Sequence, residues 1–310
     1  MTLPSSSKQV TAQYIAVNDS KKNLVIAMAD MDIFHRNESK AMISTVKVSD
    51  KLRWVVVDGN WKADIRKEIM AKYSKCGVKV AYEPVSVAKS SQIFLPPLTP
   101  GEPGVYPNHT VDLATPNQHE LAAMHEAARR YSHLESPQWW RIVDSLGISS
   151  AGARSRFVSI TNSELTDLGV PLQSVQLLPF FPTIITKLGA DGLLITELMK
   201  GGDPRLTDPA HAPFILSRSS SDSTDELQIG GVYMRLFPSV EKVDDVVSVN
   251  GVGDTLLGVL VAGLAKGIPL DRDLINLAQE GAVMTLRSTN SVSARVSELS
   301  KRLNALAATV

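Results

Sequence analysis

Apolar and polar positions along this chain fall into blocks whose period changes. Gln13 to Val17 and Leu24 to Ala29 flank the polar run Asn18-Asp19-Ser20-Lys21-Lys22-Asn23, a pattern that predicts a β-hairpin. Trp54 to Val57 is continuously apolar, as in a strand covered on both faces. Lys62 to Lys75 then carries Ile65, Ile69 and Tyr73 at helical spacing, and Val78 to Tyr82 returns to strand, which makes a β-α-β unit. Thr110 to Ala114 reads as extended, and Leu121 to Leu134 and Trp139 to Leu146 read as helices. Pro182 to Thr186, the turn Lys187 to Gly192, and Leu193 to Thr196 read as strand, tight turn, strand. Leu256 to Lys266, Leu274 to Ser288 and Val292 to Ala308 are late helices, with Gly267-Ile268-Pro269 as a stop. Three stretches predict loops: Pro96 to Gly104, Gly201 to Pro213, and the polar, acidic Arg218 to Glu226, which suits a solvated insertion. There is no internal repeat.

Three turns carry candidate chemistry. In Ser248-Val249-Asn250-Gly251-Val252-Gly253-Asp254-Thr255, two glycines straddle one small apolar residue and a carboxylate follows at once. Glycines let successive backbone N–H groups turn toward one point, and a helix start adds donors and the positive end of its dipole. The product is an anion hole with a carboxylate at its lip, suited to a hydroxyl attacking a phosphoryl group. The same residues also suit a plain strand–helix turn capped by Asp. Asn117 and Glu120 in Thr115-Pro116-Asn117-Gln118-His119-Glu120-Leu121 share a face of a first helical turn. They could order the waters of a phosphate-bound Mg²⁺, or they could simply form a capping box. Lys187-Leu188-Gly189-Ala190-Asp191-Gly192 is the third glycine turn, and a hairpin alone would account for it.

Composition narrows the class. The 310 residues are 44% hydrophobic and 21% charged, enough for a large core in one domain. Lys plus Arg equals Asp plus Glu at 32 each, so neither nucleic acid nor an anionic membrane has an electrostatic case. Cys76 is the single cysteine, which rules out an intrachain disulfide and reads as a half-buried thiol in a reducing, cytoplasmic setting. There is no Walker A loop, no Gly-x-Ser-x-Gly elbow, no secretory signal and no apolar run of membrane-spanning length. The six histidines show no paired spacing that suits zinc; His125 and His133 read as surface residues, and Trp139-Trp140 as core or an interface patch. Residues 1–10 are polar and Ser-rich and read as disordered.

Taken in order, the three turns resemble those of the PfkB-type (ribokinase-like) sugar and nucleoside kinases. Asn250 to Thr255 is similar to that family's Gly-Ala-Gly-Asp signature, Asn117-x-x-Glu120 to its Asn-x-x-Glu motif, and Leu188-Gly189-x-x-Gly192 to its nucleotide-side turn. Thr11 to Asp19, Leu24 to Asp32, Val56-Val57-Asp58-Gly59-Asn60 and Tyr82-Glu83-Pro84-Val85-Ser86-Val87-Ala88-Lys89 resemble segments of pseudouridine kinases. Those occur alone or fused to a pseudouridine-phosphate glycosidase, notably in fungi. The resemblance runs from about Thr11 to Arg287. It implies a ribokinase-like three-layer α/β/α sandwich with a mostly parallel central sheet and a remnant β lid near residues 13–29. It implies ATP and Mg²⁺ as cofactors and the ribose 5′-hydroxyl of pseudouridine, or of a related nucleoside or sugar, as acceptor. Asp254 would be the general base, and the amides of Gly251, Val252 and Gly253 the anion hole. Asn117 and Glu120 would serve the Mg²⁺–phosphate network, the metal held through water. Lys187, Gly189 and Gly192 would line the nucleotide side, and Gln279 would approach the adenine. A homodimer or the glycosidase fusion would be the partner.

Two departures stand against the pattern. Val252 replaces the usual Ala between the glycines and narrows the hole. The family's opening strand, with its substrate-binding Asp and Gly-Gly segment, has no counterpart before Thr11. The expectation is therefore a single kinase domain over 1–310, incomplete at its N-terminal side. The alternative is a catalytically weak or inactive nucleotide-binding or interaction module that has lost its substrate-binding segment.

Overall fold

The computed structural model describes residues 11–19, 24–35, 47–95, 103–219 and 226–309. The disorder expected of residues 1–10, the hairpin turn at 20–23, most of the loop beginning at Pro96 and the centre of the acidic run lie outside the described residues.

Strands β1 (Gln13–Asn18) and β2 (Leu24–Asp30) pair antiparallel as a separate two-stranded sheet, the hairpin that the alternation predicts. Strand β3 (Trp54–Asp58), helix α1 (Ala63–Lys75) and strand β4 (Lys79–Glu83) form the predicted crossover, with Trp54 opposite Lys79 and Asp58 opposite Glu83 in parallel register. The one-turn helix α2 (Val87–Ser90) follows, then a two-residue strand β5 (Leu113–Ala114) and helix α3 (Gln118–Arg130). Helices α4 (Pro137–Ser145), α5 (Ala153–Ile160), α6 (Ser163–Asp167) and α7 (Val170–Leu177) lead to strands β6 (Thr183–Lys187) and β7 (Leu193–Lys200). Strands β8 (Ile215–Arg218) and β9 (Ile229–Phe237) and helices α8 (Val252–Ala265), α9 (Arg272–Leu286) and α10 (Leu299–Ala307) complete the chain.

The central sheet has the order β3-β4-β5-β6-β7-β9-β8. Pairings from β3 to β6 are parallel and those from β6 to β8 antiparallel, so the sheet is mixed, with five of its seven strands running the same way. Side chains alternate across it. Val80, Tyr82, Ala114, Ile184 and Leu194 enter a core with α1 and α3 to α7, while Ala81, Leu113, Ile185, Leu193 and Ile195 face α8, α9 and α10. That period of two, with helices on both faces, makes the molecule a three-layer α/β/α sandwich. It also places Asp58, Glu83, Ala114 and Lys187, the last residues of four parallel strands, along one edge of the sheet.

Several expectations change. Val292 to Ala308 is not one helix. Ser293 accepts a hydrogen bond from the Arg295 amide and starts a 3-10 turn over Ala294–Glu298, and α10 begins after it. Cys76 is exposed at the end of α1, not half-buried. His125 and His133 are half-buried rather than surface residues, bonded to Gln176 Oε1 at 2.6 Å and to the Phe94 carbonyl at 3.1 Å. Trp139 is core and Trp140 is exposed. The β-branched pair Val246-Val247 lies in an irregular segment, so α8 is not entered directly from a strand.

Candidate active site

Strand β5 is two residues long because the chain turns at Pro116 into α3. Asn117 caps that helix. Its Oδ1 accepts from the amides of His119 and Glu120, each at 2.9 Å, while Glu120 Oε2 accepts from the Asn117 amide at 2.8 Å. The pair is thus a complete capping box, which satisfies orphan donors of the first turn reciprocally. Glu120 is buried, and desolvation pushes its carboxyl above the ordinary range. The ammonium of Lys187 opposes that rise, whereas Glu83 adds to it.

Backbone pairing joins this turn to the next motif. The Lys187 amide donates to the Pro116 carbonyl at 2.8 Å, in a parallel bridge between Asn117 and Lys187. From the end of β6 the Lys187 ammonium reaches Glu83 Oε1 at 2.7 Å, the two side chains being 17% and 7% exposed. The other Glu83 oxygen accepts from the buried Thr115 hydroxyl at 2.7 Å. Leu188 to Gly192 closes the β6–β7 turn, with the Leu188 amide on the Gly192 carbonyl at 2.9 Å. Gly192 has φ +93°, and a β-carbon there would run into the Phe237 carbonyl and Pro238, so no side chain fits. Gly189 has φ +63° and faces open space.

The third motif comes in from the other layer. Gly251 is the N-cap of α8 at φ +73°, a left-handed conformation, and a β-carbon there would run into the Ser291 carbonyl. Asp254 lies exposed in the first turn, so it is not the helix cap. Thr255 anchors the turn inward, donating to the Gly251 carbonyl and lying 2.9 Å from the Thr285 hydroxyl. Gly253 meets the Lys187 ammonium: a β-carbon on Gly253 would stand 3.3 Å from Nζ.

Asn117, Glu120, Lys187 and the Gly251–Asp254 turn are therefore gathered at one edge of the sheet, although they are far apart in sequence. Gln279 is not in that cluster. It is buried on α9 and donates to the Pro238 carbonyl at 3.1 Å, which ties it to the segment that backs Gly192. Sequence reading missed Glu83 and Thr115. The signal was present, since a carboxylate closing an apolar strand needs a partner when it is buried.

Among the described residues no group of three or more metal-ligating side chains occurs. Asn117 Oδ1 and Glu120 Oε2 are already engaged by backbone donors, which leaves Glu120 Oε1 as the remaining carboxylate acceptor of the pair. One carboxylate oxygen fits Mg²⁺ that is held mainly by phosphate and water. No helix among the described residues is long and apolar enough to cross a membrane.

No protein-family model matches the chain. The pseudouridine-metabolizing bifunctional protein of Schizosaccharomyces pombe is 29% identical over 307 residues, covering 97% of this chain and 37% of that protein. The chain thus spans a little over a third of that relative's length. Among solved structures, a Burkholderia thailandensis nucleoside kinase in complex with inosine superposes with a TM-score of 0.50 at 11% identity, over 95% of this chain and 67% of the other. Ribokinase from Thermotoga maritima gives a TM-score of 0.47 at 12% identity, over 96% and 69%. The chain is similar in sequence to part of a pseudouridine-metabolizing protein and has a ribokinase-like fold, shared with the nucleoside kinase.

Proposed function

We propose that this chain transfers the γ-phosphoryl group of ATP to the ribose 5′-hydroxyl of pseudouridine. The observation that carries the reading is Lys187, whose backbone pairs with the Asn117 turn while its ammonium, bonded to Glu83, lies against the first turn of α8. Two elements that attract anions, a cation and a helix start, face one space beside an exposed carboxylate.

The Asp254 carboxylate accepts the proton of the attacking hydroxyl. The oxygen of that hydroxyl forms the new bond to the γ-phosphorus as the bond to the ADP oxygen breaks, and ADP leaves. The amides of Gly251, Val252 and Gly253 hold the charge on the transferring group. Val252 makes this hole narrower than one built around Ala. Lys187 neutralises the phosphate from the opposite side, and Gly189 and Gly192 shape the turn along which the nucleotide lies. Gln279 steadies the Pro238 segment on the adenine side. Glu120, with the capping turn of Asn117, would hold Mg²⁺ through water, and the ion would supply charge neutralisation for the triphosphate.

Pseudouridine is favoured as acceptor by the S. pombe relative, and a nucleoside in general by the fold shared with the inosine-bound kinase. The reading extends to a cytoplasmic enzyme and to a pseudouridine-phosphate glycosidase as companion domain, since that activity would consume the product. Calorimetry with a nonhydrolysable ATP analogue and Mg²⁺ tests the core of it. Folded protein that binds nothing up to millimolar analogue would sink the proposal.

A further inference from the structure

We propose that Glu83 is a positioning residue of the phosphate site, acting through Lys187; this rests on the kinase reading above. The Lys187 ammonium lies against Gly253, in the first turn of α8, where the helix dipole presents its positive end. A cation there is repelled by the helix and half stripped of water, so on its own it would swing outward to solvent. Glu83 opposes that. Its Oε1 holds Nζ at 2.7 Å, and its Oε2 is fixed by the Thr115 hydroxyl at 2.7 Å. Thr115 and Glu83 are both buried, so the carboxylate itself cannot swing away. The three residues close strands β4, β5 and β6, and the side chains cross-link those ends directly. Two positive groups are thereby kept facing each other, an arrangement that is costly without an anion between them and favourable with one.

A carboxylate that only filled space would be replaced best by its isostere. One that restrains a cation by charge would be replaced best by another carboxylate. The 310-residue chain and its variants Glu83→Gln, Glu83→Asp and Lys187→Met are titrated calorimetrically with the ATP analogue plus Mg²⁺ and, separately, with inorganic tripolyphosphate, which reports the phosphate site without a nucleoside. Lys187→Met is expected to weaken both ligands about tenfold, the loss of one charge-assisted contact. Glu83→Gln is expected to weaken them about three- to tenfold, Glu83→Asp less, and Glu83→Gln no further once Lys187→Met is present. Thermal melting of each variant shows that it is folded. If the wild type binds both ligands while Glu83→Gln binds as well as wild type, or better than Glu83→Asp, the positioning role is overturned and the kinase reading stands. If the folded wild type binds neither ligand, both fall together.

Discussion

Asp254 is exposed in the first turn of α8, and the proposed reaction gives it the proton of the attacking hydroxyl. Asp254→Asn keeps the shape and removes the proton acceptor. Phosphoryl transfer to pseudouridine should therefore fall by about 10²–10⁴, while affinity for the ATP analogue should hold, as read by a coupled ADP-release assay beside calorimetry. A variant that keeps more than about a tenth of the activity would remove Asp254 from the role. The two glycines nearby separate backbone from site. Gly251→Ala forces a β-carbon into the Ser291 carbonyl at φ +73° and should cost about 2 kcal/mol or more in chemical denaturation. Gly253→Ala meets only the flexible tip of Lys187. It should leave stability unchanged or raise it by up to about 1 kcal/mol, and yet weaken triphosphate binding.

At the scale of elements, α3 begins on a buried acid. Burial raises the Glu120 carboxyl above its ordinary 4.5, so the folded state holds that proton more tightly than the unfolded chain. Its contribution is therefore most favourable below the unfolded value and is lost as pH rises through the folded one. Glu120→Gln keeps the capping acceptor and deletes the titration. Its Tm advantage over wild type should be absent near pH 4 and should grow as pH rises toward 7; a constant difference across that window would contradict this. Strand β5 poses a different problem, because two residues must join β4 to β6. Asp112 helps, its side chain accepting from the Val80 amide at 2.8 Å while its backbone pairs with both neighbours. Asp112→Ala should cost about 1–3 kcal/mol, the loss of an acceptor from a buried amide. The crossover β3–α1–β4 and the β6–β7 hairpin were legible in sequence because long apolar runs are bounded by polar turns. Helices α5 to α7 were not, since each spans eight residues or fewer and offers no full amphipathic period. In β9, Gly230-Gly231 and Arg235 broke the alternation although the strand lies deep in the sheet.

At the scale of the molecule, one sheet serves two cores, one on each face, and neither core can lose the sheet without exposing the other. Unfolding should show a single calorimetric transition, and the ATP analogue with Mg²⁺ at a hundred times its dissociation constant should stabilise the fold by about 2.7 kcal/mol through mass action. A transition that ignores the nucleotide would argue against the site. The motifs of that site could be read from sequence because each turn needs particular residues. The Thr115–Glu83–Lys187 link could not, since it joins three strand ends that only the parallel register brings side by side. The hairpin of β1 and β2 carries Tyr14, Ile15, Val17, Val25, Ile26 and Met28 between 46% and 66% exposed, so its apolar content does not come from burial in either core. The same parallel register has a practical side. Helix α1 runs back from the site edge to the opposite end of the sheet, and the chain's single cysteine, Cys76, sits exposed where it stops. One maleimide tether would therefore attach every molecule at the same point, immobilising the protein on a sensor surface with the proposed phosphate site turned toward the flow.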